Sequence, residues 1–163
     1  MILFLDFDGV LHPGNVVLRR NRPHLDAPGE LFMWTPALVE VLADAPHVQL
    51  VLSTSWVRHL GFSRAREALP AALASRVIGA TWHTELLEGR SKRDMCGWDL
   101  LSRYAQIERY VLRAKLDSWI AVDDDVEGWP DTQSEQLIQT DSDCGLGDPI
   151  VIERLRRRLV PSG

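Results

Sequence analysis

Short apolar runs that do not alternate recur along this chain, and they limit what it can fold into more than any other feature. They are ILFL at 2–5, VQLVL at 48–52, RVIGAT at 76–81, WIAV within 118–125 and QLIQT at 136–140. A strand with one wet face alternates apolar and polar residues, whereas a continuous run suits a strand covered on both sides. Segments of helical period lie between the runs. TPALVEVLADAP (35–46) puts Leu38, Val39 and Leu42 on one face, with Thr35 as a cap and Pro36 in the first turn. SRAREALPAALAS is helical in composition but broken at Pro70. WDLLSRYAQIERYVLRAK (98–115) repeats Leu101, Tyr104, Ile107, Val111 and Leu112 at helical spacing, and PIVIERLRRRL (149–159) opens on Pro149. Strands alternating with helices predict an α/β fold, a mostly parallel five-stranded sheet with helices on both faces. A turn-rich stretch from GVLHPGN to RPHLDAPGE separates the first strand from the first helix, and 82–97 reads as a loop.

The length of 163 residues suits a single domain spanning 1–163, and no repeat or linker divides it. A formal net charge of −5 speaks against a surface that holds nucleic acid by overall basicity. Cys96 and Cys144 make neither a disulfide framework nor a zinc spacing, as expected of free thiols in a reducing cytoplasm. The opening apolar run has no basic leader and is broken at Asp6, unlike a secretion signal. No apolar run is long enough to cross a bilayer. The expectation is a cytoplasmic protein with no membrane partner.

Chemistry collects at the carboxyl ends of the predicted strands, where open parallel sheets bind ligands. The first ends in Asp6-Phe7-Asp8, the second in Ser53-Thr54-Ser55 and the fourth in Asp123-Asp124-Asp125. Alternate residues of an extended segment share a side, so Asp6 and Asp8 face together while Phe7 points elsewhere, and Gly9 permits a sharp turn beside them. A phosphate-receiving signalling domain also carries acids at strand ends. It needs an Asp after the third strand, where this chain has Gly79-Ala80-Thr81.

DFDGV (6–10) resembles the first motif of the haloacid dehalogenase (HAD) superfamily. Thr54 after VQLVLS matches the second motif, and AVDDD (121–125) the fourth. FLDFDGVLHP, VLSTSW, the R-x-x-Q-I segment at 103–107, WIAVDDD and TDSDCGL together are similar to the HAD domains of bacterial "Swiss army knife" RNA-repair proteins. Those show S-T-S-W-R, whereas Val57 follows Trp56 here and the arginine stands at 58. The resemblance implies a three-layer Rossmann-like HAD fold. The gap after the first motif is too short for a folded cap domain, so no sizeable cap is expected.

The roles implied by the resemblance agree with elementary chemistry. Asp6 would be the nucleophile toward phosphorus, and Asp8 the general acid and then base. Thr54 would bind a phosphoryl oxygen, a helix cap being its alternative reading, with Ser55 and the backbone N–H groups of the turn at Gly9 assisting. Arg103 would neutralise the nucleophile and phosphate, with Lys92 as the alternative. Carboxylates gathered around a phosphate repel it unless a hard cation intervenes, which suits Mg²⁺. Its expected ligands are Asp6, the main-chain carbonyl of Asp8, and Asp124 with Asp123 close behind. His12 could border the site but reads more readily as a surface or capping residue, Trp34 and Trp56 as core packing rather than a stacking surface for a base, and RLRRRL as a solvated helix face rather than a phosphate contact.

Three functions fit this reading. The favoured one is a Mg²⁺-dependent phosphohydrolase working through an aspartyl-phosphate on a nucleotide or nucleic-acid end. The others are a capless phosphatase for a phosphoprotein or small metabolite, and a non-catalytic phosphate-binding module on the same scaffold.

Overall fold

The structure, a computed structural model, describes residues 1–82 and 101–160. Its centre is β1 (Ile2–Leu5), buried along its whole length. β1 pairs in parallel with β4 (Gln49–Leu52) on one side and with β6 (Trp119–Asp123) on the other, so Ile2 stands opposite both Gln49 and Trp119. β5 (Val77–Ala80) extends the sheet beyond β4, and β7 (Leu137–Gln139) beyond β6, giving the order β5-β4-β1-β6-β7. All five strands correspond to the apolar runs of the sequence. The chain leaves β1 toward β4 and β5, then returns across it to β6, so the strand order reverses at β1. That reversal leaves a crevice at the carboxyl ends of the strands.

Burial on both faces follows from the pleat. Leu3 and Leu5 point into a large apolar cluster with Leu38 and Leu42 of α1 (Thr35–Ala43) and Val151, Leu155 and Leu159 of α6 (Pro149–Leu159). Trp56, Ala65 and Leu73 join the same side from three short helices, α2 (Ser55–Leu60), α3 (Phe62–Glu67) and α4 (Ala71–Ala74). Ile2 and Phe4 point the other way, toward Ile107 and Tyr110 of α5 (Arg103–Ala114). The protein is therefore a parallel sheet between two helical layers. Among the described residues no helix is long and apolar enough to cross a membrane.

Helix ends differ from expectation in informative ways. Thr35 is the first helical residue of α1 rather than its cap, and its hydroxyl donates back to the Phe32 carbonyl at 2.8 Å. α5 starts later than its apolar pattern, because the Ser102 side chain accepts from the Ala105 N–H and caps it there. Residues 98–100 of that pattern lie outside the described residues. Leu112 does not join the buried stripe of α5 and is 70% exposed. The carbonyl end of α1 is closed from a distance. Arg76 donates to the carbonyls of Leu42 at 2.8 Å, Ala45 at 3.1 Å and Val48 at 3.2 Å.

The turn-rich stretch hides two strands. β2 (Val16–Arg19) and β3 (Arg22–Leu25) form an antiparallel hairpin closed by Arg20 and Asn21, both at positive φ. Two successive left-handed residues make the tight turn whose twist matches a hairpin. Pro23 is tolerated because, among the described residues, this two-stranded ribbon pairs with no other strand. The hairpin occupies the gap in which no cap domain was expected.

Candidate active site

Three parallel strands deliver the site side by side. The ladder runs past the strand ends, with the Asp6 N–H donating to Val122 O at 3.2 Å and the Ser53 N–H to Leu5 O at 2.9 Å. Asp6, Ser53 and Asp123 are thereby level with one another in adjacent strands. Asp6 is 4% exposed and Asp123 fully buried. Buried carboxylates need partners, and a basic residue from α5 supplies one. The Arg103 guanidinium reaches Asp6 Oδ2 at 3.6 Å and Asp123 Oδ2 at 3.1 Å. The basic residue picked from the sequence thus belongs to the acidic cluster, not to a solvated helix face. Lys92 lies outside the described residues.

Asp6, Asp123 and Asp124 can each bring a carboxylate oxygen within 4.8 Å of the others. Their occupancy differs. Asp123 Oδ1 accepts from the Asp125 N–H at 3.0 Å, and its Oδ2 makes no hydrogen bond but is ion-paired with Arg103 at 3.1 Å. Asp6 Oδ1 is buried with no hydrogen-bond partner. Asp124 is half-buried, with its carboxylate against Gly9 and a hydrogen bond from the Ser142 side chain. An orphaned buried carboxylate oxygen beside a second carboxylate, in an all-oxygen donor set, fits a hard divalent cation. Asp6 and Asp124 are the side chains best placed to hold it, while Asp123 holds Arg103.

The electrostatics agree. Burial, opposed by Arg103 and reinforced by Asp8 and Asp124, raises the Asp6 pKa from 3.8 to about 6. Burial, and then the neighbouring Asp6, push Asp123 well above the usual carboxylate range. Burial also raises Asp124, against the lowering hydrogen bond from Ser142. Burial pulls Arg103 down, but Asp6, Asp123 and the two following acids together outweigh it and keep the guanidinium charged. Among the described residues this crowding of acids is only partly neutralised by one arginine, so a cation would relieve it.

The turn after β1 carries Asp8 and is tied down on several sides. Gly9 has φ +71, and a Cβ there would collide with the Asp124 carboxylate, so both its conformation and its close approach require glycine. Its N–H, expected to face a phosphoryl oxygen, instead donates to His12 O at 2.9 Å within the turn. Thr140, at the end of β7, donates its hydroxyl to Gly9 O at 2.8 Å. Asp8 Oδ1 receives two N–H groups, Trp56 Nε1 at 2.9 Å and His12 Nε2 at 3.0 Å. The Phe32 N–H donates to His12 Nδ1 at 3.2 Å, so Nδ1 is the accepting nitrogen and Nε2–H is the group that meets Asp8.

His12 is therefore no surface or capping residue. It is fully buried and orients Asp8, a role its immediate neighbours in sequence do not announce. Trp56 packs in the core as expected, edge-on to Phe7 and Phe32, but its indole N–H also serves the site. Trp34 packs against the turn at Gly145–Gly147. Thr54 lies at the start of α2, where its oxygen accepts from the Trp56 N–H at 3.4 Å. Its hydroxyl proton remains available to a phosphoryl oxygen. Ser55, exposed, lines the clefts on both sides of it. Asp6, Asp8, Thr54, Arg103, Asp123 and Asp124 thus converge on one crevice. Ser142 and Thr140 complete it, both within or beside the TDSDCGL segment.

Residues 2–151 match the family model described as "HAD domain in Swiss Army Knife RNA repair proteins". No curated protein and no solved structure matches the chain.

Proposed function

The chain belongs to the family of HAD domains found in Swiss Army Knife RNA repair proteins, and from that premise we propose that it is a Mg²⁺-dependent phosphohydrolase acting on a nucleotide or nucleic-acid end. The observation that carries the reading is the Asp6 carboxylate, with Oδ1 unpartnered, beside Arg103, Asp124 and Asp8 at the point where strand order reverses.

Each side chain then has a task. Asp6 attacks phosphorus, the bond to the leaving oxygen breaks, and its electron pair takes a proton from Asp8. Asp8, now a carboxylate, removes a proton from water as that water attacks the aspartyl-phosphate. The bond from phosphorus to Asp6 breaks, so phosphate leaves and the nucleophile is regenerated. Thr54 donates to an equatorial phosphoryl oxygen, and Arg103 offsets charge on Asp6 and on the phosphate. Asp6, Asp124 and the main-chain carbonyl of Asp8 would hold Mg²⁺, which supplies charge neutralisation between nucleophile and phosphate. His12 and Trp56 fix one oxygen of Asp8 and leave the other for the leaving group.

Phosphate release from phosphorylated oligonucleotides, mononucleotides and acetyl phosphate tests this, with Mg²⁺ or EDTA and with Asp6→Asn. Metal-dependent release abolished by the substitution is the expected result. Release that survives Asp6→Asn would remove the nucleophile assignment. A folded protein that binds Mg²⁺ but releases no phosphate from any substrate would favour a binding module.

A further inference from the structure

A cavity of about 260 Å³ opens beside Asp8, lined by Asp8, Val16, Leu18, Ser55, Trp56, His59 and Leu60. We propose that this cavity receives the terminal nucleoside of the substrate as the leaving group, and that the hairpin residues Val16 and Leu18 set the preference for a base. The inference rests on the phosphohydrolase reading above, because a general acid must touch the oxygen that departs.

Geometry places the leaving group here. Oδ1 of Asp8 is taken by Trp56 and His12, so Oδ2 is the oxygen that meets substrate. The phosphoryl group lies toward Thr54 and Arg103, which line a second cleft on the other side of Ser55 together with Gln106, Asp125 and Glu127. Whatever is joined to phosphorus through the departing oxygen must continue from Asp8 into the first cavity. The two clefts differ in kind: the second is lined by several charged side chains, whereas among the described residues the first has only Asp8 and the imidazole of His59.

Its chemistry selects the occupant. Val16, Leu18 and Leu60 give an apolar wall, Trp56 also lines it, and the exposed His59 and Ser55 offer polar edges. A second phosphate or an acidic peptide would find no cation among the described residues of this wall. A bare sugar would leave the apolar wall unused. A flat heteroaromatic base with its ribose satisfies both the wall and the polar edges. The volume lies below the roughly 300–1,000 Å³ of clefts that enclose drug-sized ligands, so one nucleoside fills it. The rest of a polynucleotide would run out through the open side.

Val16 and Leu18 are two apart in β2 and so share a face of the hairpin. Leu18 is 46% exposed, an exposure without a packing purpose in the free protein. A base lying against it would cover it.

The experiment uses oligonucleotides phosphorylated at the 5′ or 3′ end, each with an intact base or an abasic residue at the phosphate-bearing position. Acetyl phosphate, which has no nucleoside, reports the chemistry alone. The wild-type protein is expected to favour the intact end over the abasic one by about tenfold or more in kcat/KM, mainly through KM. Leu18→Asp, at an exposed position, should collapse that ratio toward unity, and His59→Ala should reduce it. Equal rates on intact and abasic ends, or a ratio that neither variant changes, would overturn the pocket and leave the phosphohydrolase reading standing. Hydrolysis of acetyl phosphate with no release from any oligonucleotide would also overturn it. No release from any substrate would overturn both.

Discussion

At the scale of single residues, the site depends on how few oxygens are left free. Asp8 keeps one because Trp56 and His12 share the other. Trp56→Phe keeps the ring that packs on Phe7 and Phe32 and deletes only the N–H. A hydrogen bond to a charged group contributes about 1.5–3 kcal/mol, so kcat should fall by about ten- to a hundredfold with little change in KM. Steady-state kinetics with Mg²⁺ present measures the split. Asp6 must lose its proton to bind a cation, and its pKa is raised to about 6 by burial first of all. Mg²⁺ affinity should therefore climb as pH rises through about 6, with proton release on binding below it. Titration calorimetry in buffers of different ionisation enthalpy reads both quantities.

At the scale of elements, the strands were legible from the sequence because burial on both faces writes itself as an unbroken apolar run. The hairpin was not. VVLR and RPHL lie among glycines and prolines, and they form strands because Arg20 and Asn21 adopt positive φ together. Neither residue advertises that conformation as glycine would. α2 is hard to read in the sequence for a related reason: Thr54 reads first for its chemistry and only second as a cap, and its oxygen, accepting from the Trp56 N–H, begins a helix. His12 was misplaced because its partners are Asp8 and the distant Phe32 N–H, so only the folded chain shows that it is enclosed. Arg103, by contrast, was found by its motif spacing, and the helix it opens carries it to Asp6. Arg76 shows the same dependence on distance, since it closes α1 from the start of β5. Arg76→Ala would strip four carbonyls, those of Leu42, Ala45, Pro46 and Val48, of a charged donor and should destabilise the protein by about 1–3 kcal/mol. Urea unfolding followed by circular dichroism would show the lower midpoint.

For the whole molecule, the acidic crevice makes stability a function of pH and of metal. A buried carboxyl whose pKa is raised favours the folded state in its protonated form. The Asp6 contribution is full below 3.8 and is lost as pH rises to about 6. Metal-free protein should therefore lose thermal stability across that interval. Mg²⁺ should restore it above the interval, where the ionised carboxylates bind. A ligand at about a hundred times its Kd adds about 2.7 kcal/mol, and thermal unfolding with Mg²⁺ against EDTA at pH 5 and pH 7.5 would display the difference. A protective effect equal at both pH values would show that the buried acids do not hold the ion.

The central place of β1 has a consequence for how the protein is made. Of the five strands of the sheet, β1 is made before both of its neighbours, and Ile2 finds its partners at Gln49 and only much later at Trp119. Until the later partner emerges, one edge of a wholly apolar strand stays open to any other strand in reach. Such long-range pairing slows folding. The turn that carries Asp8 and Gly9 waits longer still, for the hydroxyl of Thr140. The chain would thus pass through its most aggregation-prone stage before this sheet has any reactive centre, and competence would arrive with β7.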